Sequence, residues 1–145
     1  MKIFNILILI SIIPLVGVML LILIPGRYNS YCFNAALFIS SLTFILSLIM
    51  WLIFDSGHNS FQFLCTIDWL PAFNFYYTVG VDGISLFFLI LTTFLIMVCI
   101  LISWGSINYR LKEYLINFLL LEFLLIQVFS VLDLLLFYVF FESVL

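Results

Sequence analysis

From Ile3 to Ile24 the chain carries no charged side chain, and the same is true from Tyr31 to Phe54 and from Gly83 to Trp104. An apolar run of about 20 residues spans a hydrocarbon core of ~30 Å when it is helical. In lipid an open strand or an irregular segment leaves backbone polar groups unpaired, so such runs are restricted to helices. A fourth run, Glu113 to Val131, holds only Glu113 and Glu122, and Leu134 to Leu145 holds only Glu142. The fold class expected is therefore all-α integral membrane, with four transmembrane helices plus the start of a fifth. The last run has 12 residues, about 18 Å as a helix, less than a ~30 Å core needs.

Composition agrees with this reading and excludes other classes. Apolar residues make up 68% of the chain and charged residues 8%, so a soluble globular domain is ruled out. The net charge of −3 is dispersed, with no basic patch, and nucleic acid is not an expected partner. Cys32, Cys65 and Cys99 have no CxxC spacing, and His58 is the only histidine, so no metal or haem site is expected. Neither a phosphate-cradling glycine loop nor a nucleophile and base pair is present. Lys2 opens the chain with a positive charge, but the run behind it is too long for a signal peptide and lacks a small-residue cleavage site.

Between the spans the sequence is punctuated. Pro25-Gly26-Arg27 ends the first helix, within which Pro14 marks a kink. Ser40, Ser41, Thr43 and Ser47 are small residues suited to close packing of the second. Residues 55 to 82 form the one long loop, whose aromatic and β-prone segments on either side of Pro71 suggest a short hairpin or interfacial segments. Trp69, Tyr76 and Tyr77 fit the headgroup level. Asp82 is placed to cap the third helix, and Asp133 and Glu113 stand at helix starts, where the helix dipole favours an acid. Arg27, Arg110 and Lys112 fall on one side, opposite a loop without Lys or Arg, and only Lys2 dissents. The positive-inside rule puts the basic side in the cytoplasm or matrix and the long loop outside.

The chemistry lies in two acids. Glu122 is nine residues beyond Glu113, and Glu142 nine beyond Asp133. That is about 13 to 14 Å of helix, near mid-membrane in each case. Because consecutive spans are antiparallel, both acids fall at nearly the same depth. A carboxylate there costs about 2.5 to 3.5 kcal/mol even on translocon-based scales. One reading is a neutral carboxyl hydrogen-bonded within the packing. The other is a proton relay, in which Glu142, and with it Glu122, works against a cation supplied from elsewhere, since no span contains Lys, Arg or His. Tyr138, one turn before Glu142, is placed to share its face and donate a hydrogen bond.

At Gly80-Val81-Asp82-Gly83-Ile84-Ser85 and at Phe137-Tyr138-Val139-Phe140-Phe141-Glu142 the chain resembles the subunit 4 family of NADH:ubiquinone oxidoreductase, respiratory complex I, in a mitochondrial style. The order of elements agrees over the whole chain. The family is related to multisubunit cation/proton antiporters. The resemblance implies the N-terminal part of an antiporter-like inverted-repeat bundle in the mitochondrial inner membrane, or alternatively a bacterial plasma membrane. It implies that Glu142 matches the family's channel glutamate, which works against a lysine on a later helix, and that Glu122 matches an acid some members carry on the preceding helix. It further implies that this chain binds no cofactor itself, with NADH, FMN, iron–sulfur clusters and ubiquinone held elsewhere in the complex. The implied partners are the other membrane-arm subunits, phospholipids, and a chain or segment continuing after Leu145. A purely structural fragment and a cation/proton antiporter subunit are the competing readings.

Overall fold

The computed structural model describes residues 5–145; Lys2, Ile3 and Phe4, which belong to the first expected span and its flank, lie outside the described residues. Five helices follow in order: α1 Ile6–Leu23, α2 Asn29–Ile53, α3 Gly83–Ser103, α4 Leu111–Ser130 and α5 Leu134–Val144. The first four are long and apolar enough to cross a membrane, and the chain is that of a multi-pass membrane protein. Apart from the start of α1, where the expected first residue Ile3 lies outside the described residues, their bounds depart from the expected spans by at most two residues, and local capping decides where a helix starts and stops. Pro14 lies inside α1 and faces the bundle, which supplies the packing that a membrane proline requires.

The long loop is a hairpin, so the all-α description holds for the membrane part only. Strands β1 Gln62–Leu70 and β2 Phe75–Val81 pair antiparallel, with Thr66 opposite Thr78 and Asp68 opposite Tyr76. A single 3₁₀ turn at Pro71–Phe73 joins them, closed by Asn74 in the left-handed conformation that asparagine tolerates. The hairpin lies against the bundle. Asn5 Nδ2 donates to the Phe63 carbonyl. At the corner between α4 and α5, the Leu132 N–H donates to the Thr78 carbonyl at 2.9 Å and Val131 forms a β-bridge with Val79.

Helix α4 is the hub, packing against each of the other four helices and touching β2. Its buried residues Leu111, Leu115, Leu119, Glu122, Ile126 and Ser130 recur every three or four positions, the stripe of a helix facing a core. Two apolar layers fill the bundle. One, toward the α1–α2 and α3–α4 connections, contains Val18, Leu21, Ala36, Ile39, Ile96, Ile100, Leu115 and Leu119. The other, toward the hairpin, contains Leu7, Ile10, Met50, Leu86, Leu89, Ile126 and Leu136. Gly17 permits the close approach of α1, since a Cβ there would lie 2.8 Å from Ile39 Cδ1 and 3.1 Å from Leu119 Cδ1. The two ends differ in charge. Lys112 Nζ donates to the carbonyls of Ile22 and Ile24, at 3.0 and 2.7 Å, and closes the C-terminus of α1.

Candidate functional site

Between the two apolar layers every one of α2, α3 and α4 turns a polar side chain inward. On α2 these are Ser40, Thr43 and Ser47, on α3 Thr93 and on α4 Glu122, all buried at 0% exposure. Their place along each helix explains the layering. Glu122 stands between Leu119 and Ile126, the α2 trio between Ile39 and Met50, and Thr93 between Leu89 and Ile96. Helical spacing of three and four residues puts Ser40, Thr43 and Ser47 on one stripe facing α4 and α3.

Glu122 Oε1 is 2.6 Å from Thr43 Oγ1, and Ser47 Oγ is 3.1 Å from Thr93 Oγ1. The three hydroxyls of α2 also bond to their own helix: Ser40 to the Leu37 carbonyl at 3.0 Å, Thr43 to Ser40 at 2.7 Å and Ser47 to Phe44 at 2.6 Å. Glu122 Oε2 is buried and has no hydrogen-bond partner among the described residues. A mid-membrane acid with half of its carboxyl unpartnered is costly to hold charged, and carboxyls so placed are commonly functional.

Glu142 is placed differently. Counted from the α4–α5 corner, Glu122 lies eight residues before Ser130 and Glu142 eight residues after Leu134, about 12 Å deep in each helix. α5, however, packs through Leu136 and Phe140, and Phe140 meets the ring of Phe123 edge-on at 6.3 Å between centroids. Glu142 is turned off that face and is exposed. Tyr138 is 60% exposed, and no hydrogen bond joins it to Glu142, so the expected pairing does not form. The structure thus brings Glu122 to the buried polar layer and leaves Glu142 on the outer surface of the bundle, on a helix whose Tyr138, Val139 and Phe141 are exposed as well.

Two of the three acids at helix starts, Asp82 and Asp133, cap their helices. Asp82 Oδ1 accepts from the Ser85 N–H at 2.8 Å, and these bonds hold its carboxyl below the usual carboxylate value. Asp133 Oδ1 accepts from the Leu135 N–H at 3.1 Å, and Glu113 sits in the first turn of α4, 3.7 Å from Arg110. Tyr77 is tied to the bundle near the outer end of α4. It turns inward to donate its hydroxyl to Gln127 Oε1, and burial raises its phenol above the usual value. Two members of the site were not singled out from sequence, Thr43 as the partner of the acid and Gln127 as the partner of the hairpin. The signal for Thr43 was available in the polar spacing 40, 43, 47 within an otherwise apolar helix.

No family model matches the chain. The chain 4 of NADH-ubiquinone oxidoreductase from Chondrus crispus is 63% identical over 145 residues, which is 100% of this chain and 30% of that protein. That from Arabidopsis thaliana is 51% identical over 132 residues, 91% of this chain and 27% of that protein. Among solved structures, the respiratory complex I from Thermus thermophilus with bound NADH contains a chain that superposes with a TM-score of 0.76 at 26% identity, covering 95% of this chain and 27% of that one. The chain thus spans about 30% of the length of the curated relatives it matches. Full-length similarity on the side of this chain, at 63% identity, means that it belongs to the NADH-ubiquinone oxidoreductase chain 4 family.

Proposed function

We propose that the chain forms part of the proton-translocating membrane arm of NADH:ubiquinone oxidoreductase in the mitochondrial inner membrane, where it contributes Glu122 and Glu142 as proton-carrying carboxylates. The observation that carries the proposal is Glu122, fully buried between two apolar layers of a membrane bundle with one carboxyl oxygen unpartnered. Kinship with NADH-ubiquinone oxidoreductase chain 4 supplies the enzyme in which such a carboxyl would act. The basic end of the bundle, with Arg27, Arg110 and Lys112, faces the matrix in this reading, and the hairpin faces outward.

Glu142 completes the pair. Its outward orientation fits a group whose cationic partner belongs to a further part of the same protein or to a neighbouring membrane-arm subunit. Electron transfer elsewhere in the complex would alter that partner and thereby the proton affinity of Glu142. NADH, FMN, the iron–sulfur clusters and ubiquinone are assigned to other subunits, while phospholipids cover the exposed apolar faces of α1 to α3. The test replaces each acid by glutamine in the assembled complex and compares proton translocation with NADH oxidation. Glu142→Gln is expected to lower coupled turnover strongly while assembly is kept. Undiminished pumping in both variants would refute the proposal and leave a purely structural role.

A further inference from the structure

The bonds around Glu122 fix where its proton lies. A threonine hydroxyl carries a single hydrogen to donate, yet Thr43 Oγ1 is within hydrogen-bond distance of both the Ser40 carbonyl, at 2.7 Å, and Glu122 Oε1, at 2.6 Å. The carbonyl can only accept. If Thr43 donates to it, the hydrogen between Thr43 and Glu122 must come from the acid. The alternative turns the Thr43 hydrogen toward Glu122, and it leaves either a carboxylate with a single hydrogen bond or a carboxyl hydrogen on Oε2, where no acceptor stands among the described residues. The first arrangement leaves only Oε2 unpartnered, as a neutral carbonyl oxygen, whereas the others leave a buried charge or a buried O–H donor unsatisfied, which costs more.

The rest of the layer leans the same way. Ser40, Thr43 and Ser47 each bond back to the carbonyl three residues earlier, the habit of hydroxyls in membrane helices. Of these hydroxyls Thr43 alone is within hydrogen-bond distance of Glu122, and with its hydrogen so committed it presents a lone pair to the acid. Thr93, which also reaches the Leu89 and Ile90 carbonyls, is the neighbour of Ser47. A partner that offers a lone pair suits a carboxylic acid and not a carboxylate, which accepts only. No Lys, Arg or His lies in α1 to α5 apart from Lys112, whose ammonium is bonded to the end of α1.

We infer that Thr43 is the positioning residue of Glu122: it accepts the carboxyl hydrogen on Oε1 and passes its own hydrogen to the Ser40 carbonyl. Loss of the proton reverses one bond. The O–H bond of Glu122 breaks, the proton adds to a lone pair of a water molecule, and the Thr43 hydroxyl swings from the Ser40 carbonyl to donate to the carboxylate. The Ser40 carbonyl keeps its helical N–H partner, so the rotation leaves no group of α2 unpaired. Thr43 thus serves the neutral acid as acceptor and the charged acid as donor. The inference rests on the proposed function only in taking Glu122 to be a group that holds a proton.

The test is infrared spectroscopy of the assembled complex in its membrane, on the carboxylic C=O band identified by its loss in Glu122→Gln and its shift in heavy water. Thr43→Val keeps the shape and removes the hydroxyl, and the band is expected to move to higher wavenumber. Thr43→Ser restores the acceptor and is expected to restore the position. Should Thr43→Val fail to assemble, Thr43→Cys, with its weak sulfur acceptor, takes its place and is expected to give a smaller shift of the same sign. A band that does not move when the hydroxyl is removed overturns the assignment, as does the absence of any carboxylic band lost in Glu122→Gln. Proton pumping is measured separately: an unchanged pumping ratio with a shifted band would count against the proposed function and leave the role of Thr43 standing.

Discussion

The hydroxyl of Tyr77 ties the outer hairpin to the membrane bundle, and its removal has a size that follows from what it leaves behind. Gln127 is 2% exposed, and its Oε1 accepts from Tyr77. Tyr77→Phe keeps the ring and deletes the donor, so a buried carbonyl oxygen loses its partner at a cost of about 1 to 3 kcal/mol. Gln127→Leu strands the phenol instead, with a smaller loss because Tyr77 is only half-buried and can turn to water. Removing both polar groups in Tyr77→Phe/Gln127→Leu leaves nothing unpaired, and the double variant should be more stable than the sum of the single losses by about 1 kcal/mol or more. The assay is hydrogen exchange at the Leu132 amide, which donates to the Thr78 carbonyl in the same joint. A loss of 1.4 kcal/mol corresponds to roughly tenfold faster opening. Strictly additive losses, or an unchanged Leu132 amide in Tyr77→Phe, would refute the reasoning and detach the hairpin from the α4–α5 corner.

Other substitutions separate packing from capping. Gly17→Leu should lower the thermal stability of the assembled complex, by about 1 to 3 kcal/mol, because the new Cβ alone would fall 2.8 Å from Ile39; normal stability would show that α1 can move away. Asp82→Ala should weaken the start of α3 by about 1 kcal/mol, read as faster exchange of the Ser85 amide. The Asp82 carboxyl is held below its ordinary value of 3.8, so its contribution is present above that pH and fades only as the pH falls further, through the lowered value. Exchange at Ser85 should therefore show no protection loss on acidification until below the ordinary carboxylate range. Lys112→Met should fray the last turn of α1 by freeing the Ile22 and Ile24 carbonyls, seen as faster exchange at Leu23 and Ile24, whereas Lys112→Arg should retain most of the protection.

How far the sequence carries depends on whether a feature is local. The four long helices, the caps at Asp82 and Asp133 and the turn at Pro71 follow from runs and breakers within a few residues, and the structure has them all. The charge difference between the ends was equally plain, since Arg27, Arg110 and Lys112 sit in short connections. Contacts between distant segments were not legible. Nothing near Lys112 announces that it will close α1, 88 residues away from Ile24, and nothing near Tyr77 announces Gln127, 50 residues on. Both depend on which helices become neighbours.

The two acids make the same point about depth and direction. Depth is a matter of counting at 1.5 Å per residue, and it puts Glu122 and Glu142 at one level from the shared corner. Direction needs a contrast between the faces of a helix. α4 has one: leucines at 111, 115 and 119, followed by Ile126, form an inward stripe on which Glu122 falls, while Lys112, Glu113 and Tyr114 open the other faces. α5 has none, being apolar all round except for Glu142 and Ser143, and a helix of that kind expects neighbours on every side. Within the described residues it has them on one side only, through Leu136 and Phe140. The side that carries Glu142 is the side left uncovered within the described residues. Glu122, enclosed by α2, α3 and α4, already has its surroundings. Its contacts are those of this chain alone, whereas Glu142 has none within the described residues.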